Sequence, residues 1–250
     1  MLHLAFLLLL LIGEASSEDR GLDGASSASP AIAAQDIMAQ IRSGEPLDYS
    51  NVTITGELNL GPGEQPIMQS IRITNSRFQG PVKIEGVTFA EFLDLRGCIF
   101  QDDVSFIKSR FLGDAKFAGA KFGKQADFAE TYFQGAASFI STSFQNDSSF
   151  SSAQFEGDAV FLDCDFVSDV DFNYAKFMGS GSFLNAKFED VSFFETKFVG
   201  QVTFRSARFR GNATFAATRF ESDVLFRTAR FGKGSTFGLS SFGGLADYGN

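Results

Sequence analysis

The sequence contains no tryptophan, four tyrosines, one histidine and two cysteines among its 250 residues. Two cysteines cannot build a disulfide framework, and neither Cys98 nor Cys164 has a neighbouring Cys or His to complete a metal site. The lone histidine, His3, lies in an N-terminal stretch with the look of a removable signal. A histidine triad or histidine metal ligand is therefore excluded from what remains. No phosphate-binding glycine loop is present, and no segment beyond the N-terminus is apolar for long enough to span a membrane. Positive charge is scarce: 21 Lys and Arg stand against 30 Asp and Glu, a net charge of −9. That balance opposes nucleic acid as a partner, though it leaves mimicry of nucleic acid open. The many carboxylates fall on outward positions and form a solvated face. No catalytic, cofactor-binding or metal residue is expected, and no cofactor.

What the chain has in quantity is phenylalanine, 32 residues of it. Reliance on one aromatic suggests a single packing problem solved many times, so repeats come first. Before them, Leu2 to Ile12 is an apolar run too short for a bilayer. Small residues follow at Gly13, Ala15, Ser16 and Ser17. With no Lys or Arg near Met1 the pattern is incomplete, but it predicts a signal peptide over 1–17 and export to the periplasm, the envelope or the medium. Residues 18–29 form a Ser- and Ala-rich linker. Ser29-Pro30 supplies an N-cap and a first-turn proline, predicting a helix over Ala31 to Arg42 within a capping segment 30–46. Ala34, Ile37, Met38 and Ile41 share its apolar face. Gly44 and Pro46 stop it.

From residue 47 to 242 the pattern is small-x-large. It begins as Leu47-x-Tyr49, Val52-x-Ile54 and Leu58-x-Leu60, is interrupted by a Gly- and Pro-rich insertion at 61–70, and resumes at Ile71-x-Ile73. From Phe100 onward it is all phenylalanine. Of the 32 Phe, 29 fall on the frame, the exceptions being Phe6, Phe92 and Phe194. Steps alternate between five and six residues, with one slip where Phe188 is followed five residues later by Phe193. Residues two apart in extended backbone share a face, so each step sends one small and one large side chain inward. A helix would scatter these residues around its circumference.

Units such as Ala120-Lys121-Phe122-Gly123, Ala126-Asp127-Phe128-Ala129-Glu130 and Ala186-Lys187-Phe188-Glu189-Asp190 resemble the pentapeptide-repeat family. The resemblance implies an all-β fold: a right-handed quadrilateral β-helix, a solenoid with one unit per side. Two departures mark this chain, Phe at the centre and a sixth residue in alternate units. They predict about 22 residues per coil, nine coils and a rod of about 40 Å at strand spacing; a three-sided coil is the less favoured alternative. The sixth residue follows Gly80, Gly113, Gly135, Gly157, Gly179, Gly200 or Gly211, and we expect left-handed corners there. Residues 243–250 read as a tail with little cover, from which a homodimer through the C-terminal coils is expected.

Cys98 and Cys164 sit two before a Phe and three coils apart, too far to pair, so both are expected as small core residues. Basic residues precede alternate Phe, as at Arg77, Arg110, Lys121, Lys176, Lys187, Lys197, Arg208, Arg219 and Arg230. The stretch from Lys197 to Lys233 is basic, while the middle of the chain is acidic. Asn51, Asn146 and Asn212 begin glycosylation sequons. The insertion offers Glu64, Gln65 and Gln69, too thin a set for catalysis. We expect a non-enzymatic exported structural or interaction module with a protein or cell-envelope partner. The alternative, a role the resemblance implies, is a DNA-mimicking protein that binds topoisomerase.

Overall fold

The computed structural model describes residues 29–249. The expected signal at 1–17, His3 and nearly all of the 18–29 linker lie outside the described residues. The described chain winds into four parallel sheets of ten, eight, eight and ten strands, which are the four faces of a solenoid of about ten coils. Each strand pairs with the strand one coil on. Phe100 aligns with Phe122 on face I, Val104 with Ala126 on face II, Arg110 with Tyr132 on face III and Ala115 with Ala137 on face IV. These partners are 22 residues apart, as the five-and-six alternation requires.

The small-x-large pattern works as its spacing demands. Every framed Phe from Phe100 to Phe226 is buried, most of them completely. Phe side chains of one face stack coil on coil: Phe133 on Phe155 at 4.9 Å and Phe128 on Phe150 at 5.0 Å between ring centroids, with planes within 2° of parallel. Those distances exceed van der Waals contact between ring planes, so the stacks are offset, the arrangement the ring quadrupole prefers. Rings of faces II and IV meet edge to face across the interior, as Phe128 and Phe139 do at 5.4 Å and 86°. The core is thus an aromatic herringbone in which burial of each ring contributes about 1.5–3 kcal/mol.

The corners differ from the expectation. Left-handed backbone recurs every eleven residues at Lys108, Gly119, Glu130, Ser141, Ser152, Asp163 and Tyr174, with φ between 54° and 70°. These lie in the five-residue steps. The corner glycines of the six-residue steps, Gly113, Gly135, Gly157 and Gly179, are not left-handed. A Cβ on Gly135, Gly157 or Gly179 would lie 2.5–2.6 Å from the backbone of the glycine one coil earlier. Close approach between coils explains glycine there, not positive φ. The slip at Glu189 to Val191 is absorbed at one corner. Val170 pairs with Val191, 21 residues on, and Phe172 still stacks on Phe193 at 5.0 Å.

The N-terminal helix is shorter than expected. Strand β1 (Ala31–Ala33) precedes helix α1 (Ala34–Ser43), and β1 pairs with Thr53–Thr55, placing Ile32 beside Ile54. The ladder satisfies backbone groups that a first helical turn would leave without partners, which is why Ala31 to Ala33 extend. Ala33 becomes an N-cap without a side-chain bond, and Gly44 closes the helix with φ 81°. Ala34, Ile37 and Ile41 are buried in the apolar core at this end.

The repeat also runs through two regions assigned outside it. Within the insertion, Ile67 is buried and bridges to Phe89, so it takes the inward place on face III. At the other end Ala246–Asp247 pairs with Val224–Leu225, and Tyr248 stacks on Phe226 at 5.0 Å. The segment read as a tail is a further side of the solenoid, and with β1 and Ile67 it brings the described coils to about ten rather than nine.

Candidate functional site

The sequence pointed to no catalytic or ligand site, and the places it singled out are occupied with structure. Cys98 and Cys164 are free and buried, and their Sγ atoms donate to the carbonyls of Ile73 at 3.0 Å and Phe139 at 2.8 Å. Burial pushes the Cys98 thiol up to about 12 and the Cys164 thiol higher. Glu64 holds Arg42 of α1 at 2.6 Å, and Gln69 donates to the Ile41 carbonyl at 2.7 Å. The polar groups of the insertion therefore fasten the helix end to the coil. Among the described residues no three His, Cys, Asp or Glu side chains group as a metal site.

The sequons divide. Asn146 Nδ2 donates to the Gly123 carbonyl at 2.8 Å, and Asn212 Nδ2 to Asp190 at 2.9 Å. Asn51 is exposed, with φ 57° and only Ser50 as a side-chain partner. The atom a glycan would take is thus engaged with another coil at Asn146 and Asn212.

One structural use of sequence was missed. The small inward position holds Ser or Thr in some coils and Ala in others. Where it is Thr, the hydroxyl donates to a Phe carbonyl of the previous coil: Thr131 to Phe106 at 3.0 Å, Thr142 to Phe117 at 2.9 Å, Thr218 to Phe193 at 2.6 Å. The signal was their recurrence on two of the four faces only. Off the frame, Phe92 lies outside, with the guanidinium of Arg72 5.5 Å from its ring centre. Near it, burial works to raise the Asp94 carboxyl, but hydrogen bonds from Arg96 and the charges of Arg96 and Arg72 hold it below the usual range.

The model of pentapeptide repeats matches residues 73–121, 117–164, 128–176 and 150–197, half of the chain when joined. This chain belongs to the pentapeptide-repeat family. No curated protein matches it. Among solved structures it is similar to HetL, a pentapeptide repeat protein involved in heterocyst differentiation regulation from the cyanobacterium Nostoc sp. strain PCC 7120. Identity is 12% over 83% of this chain and 93% of that one, with a TM-score of 0.22.

With the interior of this pentapeptide-repeat solenoid filled, chemistry is left to the outward columns. Face II is acidic. Asp147, Asp169 and Asp190 line a shallow groove with Asp171. Partial burial and the charges of Asp190, Asp147 and Glu189 raise the Asp169 carboxyl. Burial, with Glu85 and Asp171 nearby, does the same to Asp127. The face I column instead turns basic toward the C-terminus, as Lys187, Arg208 and Arg230 align in consecutive coils.

Proposed function

We propose that this chain is an exported, non-enzymatic interaction module that offers the flat faces of a rigid rod to a protein or cell-envelope partner. One observation carries the reading. From Phe100 to Phe226 the framed rings are buried between coils, while the outward column of the same strands changes in charge from coil to coil. Fold and variation are thereby separated, as a binding scaffold requires. Cell fractionation with N-terminal sequencing of the mature protein tests the export. A chain retaining Met1 in the cytoplasm of its host removes it. Association of two copies through the C-terminal coils belongs to the same reading, since Phe242 and Tyr248 are 40% and 51% exposed there. Light scattering at high concentration that finds only monomer removes that part.

The acidic groove on face II favours a second reading, DNA mimicry toward a topoisomerase. Carboxylates in file at strand spacing imitate a phosphate backbone in sign and regularity. A gyrase supercoiling assay unaffected by excess protein dismisses it.

A further inference from the structure

Two consecutive coils place the same residue pattern at one corner. Arg205-Ser206-Ala207-Arg208 is followed 22 residues on by Arg227-Thr228-Ala229-Arg230. Arg208 aligns with Arg230 in the face I ladder, and the Ser206 N–H donates to the Arg227 carbonyl at 3.0 Å. Four arginines therefore form a two-by-two grid on the edge between faces IV and I, and all four are exposed. At its centre the Ser206 and Thr228 hydroxyls lie 2.8 Å apart.

Aligned like charges on neighbouring strands are unfavourable, and this column avoids them from Arg77 to Lys187, before Lys187, Arg208 and Arg230 fall in line. Asp165 precedes Lys187 and pairs with it at 3.8 Å. Within the grid only Arg227 has an ion pair among the described residues, to Asp247 at 2.6 Å. Arg205, Arg208 and Arg230 have none. Neither folding nor pairing accounts for this run of cations, whereas a bound anion would.

Guanidinium forks beside hydroxyl donors suit tetrahedral oxyanions. The rung spacing, about 4.8 Å, is close to the rise of one sugar residue in an extended polysaccharide. A single-stranded nucleic acid held through its bases would need aromatic platforms. Here the intervening residues are Ser, Ala and Thr, and Phe209 and Phe231 pack against the core. A bilayer would need apolar side chains to insert, and the grid presents none.

We propose that this edge binds the sulfate or phosphate ester groups of an acidic polysaccharide. The proposal stands whether or not the chain is exported, because purified protein tests it. The probe is a heparin-type sulfated octasaccharide, titrated by calorimetry at about 150 mM salt, where exposed charges are well screened. Binding is expected to weaken about tenfold or more in R208E/R230E, since several charge-assisted bonds are reversed. K176E/R219E, which reverses cations on face III, is expected to bind within about twofold of wild type, and thermal melts of both variants report folding. Absence of octasaccharide binding overturns the proposal, as does equal loss in the face III variant of matched melting temperature. Tighter binding of a single-stranded oligonucleotide, or of phosphatidylglycerol vesicles, overturns it in favour of that partner.

Discussion

Thr142 Oγ1 donates a 2.9 Å hydrogen bond to the carbonyl of Phe117, 25 residues earlier and one coil below. That carbonyl also accepts from the N–H of Ala120 in its own turn. The hydroxyl ties one coil to the next inside an otherwise apolar core. Thr142→Val keeps the volume and removes the donor. It is expected to lower stability by about 1 kcal/mol in denaturant melts.

Ser148 provides the opposite case. Its buried hydroxyl has no partner, while Ala126 holds the same place one coil earlier. Ser148→Ala is expected to raise stability by about 1 kcal/mol, because a desolvated hydroxyl without a bond is removed. A lower denaturation midpoint would refute the assignment.

The two kinds of corner predict different responses to one substitution. Gly119 has φ 70° and an open space around a built Cβ, with the nearest atoms 3.9 Å away. Gly119→Ala is expected to lose about 1–2 kcal/mol from left-handed backbone alone. Gly135→Ala meets the Gly113 carbonyl carbon at 2.5 Å and must separate two coils. Its loss is expected to be the larger, up to about 3 kcal/mol, as for overpacked cores. Equal melting shifts would contradict the distinction.

Asp94 sets an acid limb. Its carboxyl titrates below the usual range when folded, whereas the unfolded chain has the ordinary value of about 3.9. The native state therefore binds fewer protons, and the Arg96 and Arg72 interactions stabilise it fully at neutral pH. This contribution is lost as pH falls below about 4 toward the folded pKa. Asp94→Asn is expected to melt lower than wild type at pH 7, by about 1–2 kcal/mol. The gap should narrow in acid; one that stays constant to pH 2 would remove Asp94 from the account.

The thiols of Cys98 and Cys164 are buried, and burial disfavours the thiolate that reacts. Native protein at pH 8 is expected to resist a disulfide reagent such as dithionitrobenzoate. Two thiols per chain should react after denaturation. Prompt reaction of either in the native state would contradict the packing.

The period of eleven determined most of this architecture before any coordinate was known. A Phe every five or six residues, with Ala or Val two positions earlier, can bury both only by sending strands around a closed coil. The eleven-residue repeat and the buried cysteines follow from that spacing, whereas four sides, and with them a 22-residue coil, came from the resemblance to the pentapeptide-repeat family. Local identity could not determine which neighbour a residue meets one coil away. Gly135 and Gly119 look alike in sequence, yet one makes room for backbone and the other relieves a left-handed turn. Pro30 to Ala33 carries helix signals, but the open edge at Thr53–Thr55 made a strand of Ala31 to Ala33. Ile67 is buried where it bridges to Phe89, and Tyr248 extends the Phe226 stack while staying half exposed, although turn residues surround both. The arginine grid follows the same rule. Arg205 and Arg227 lie 22 residues apart in sequence, and only the coil repeat brings them together on one edge.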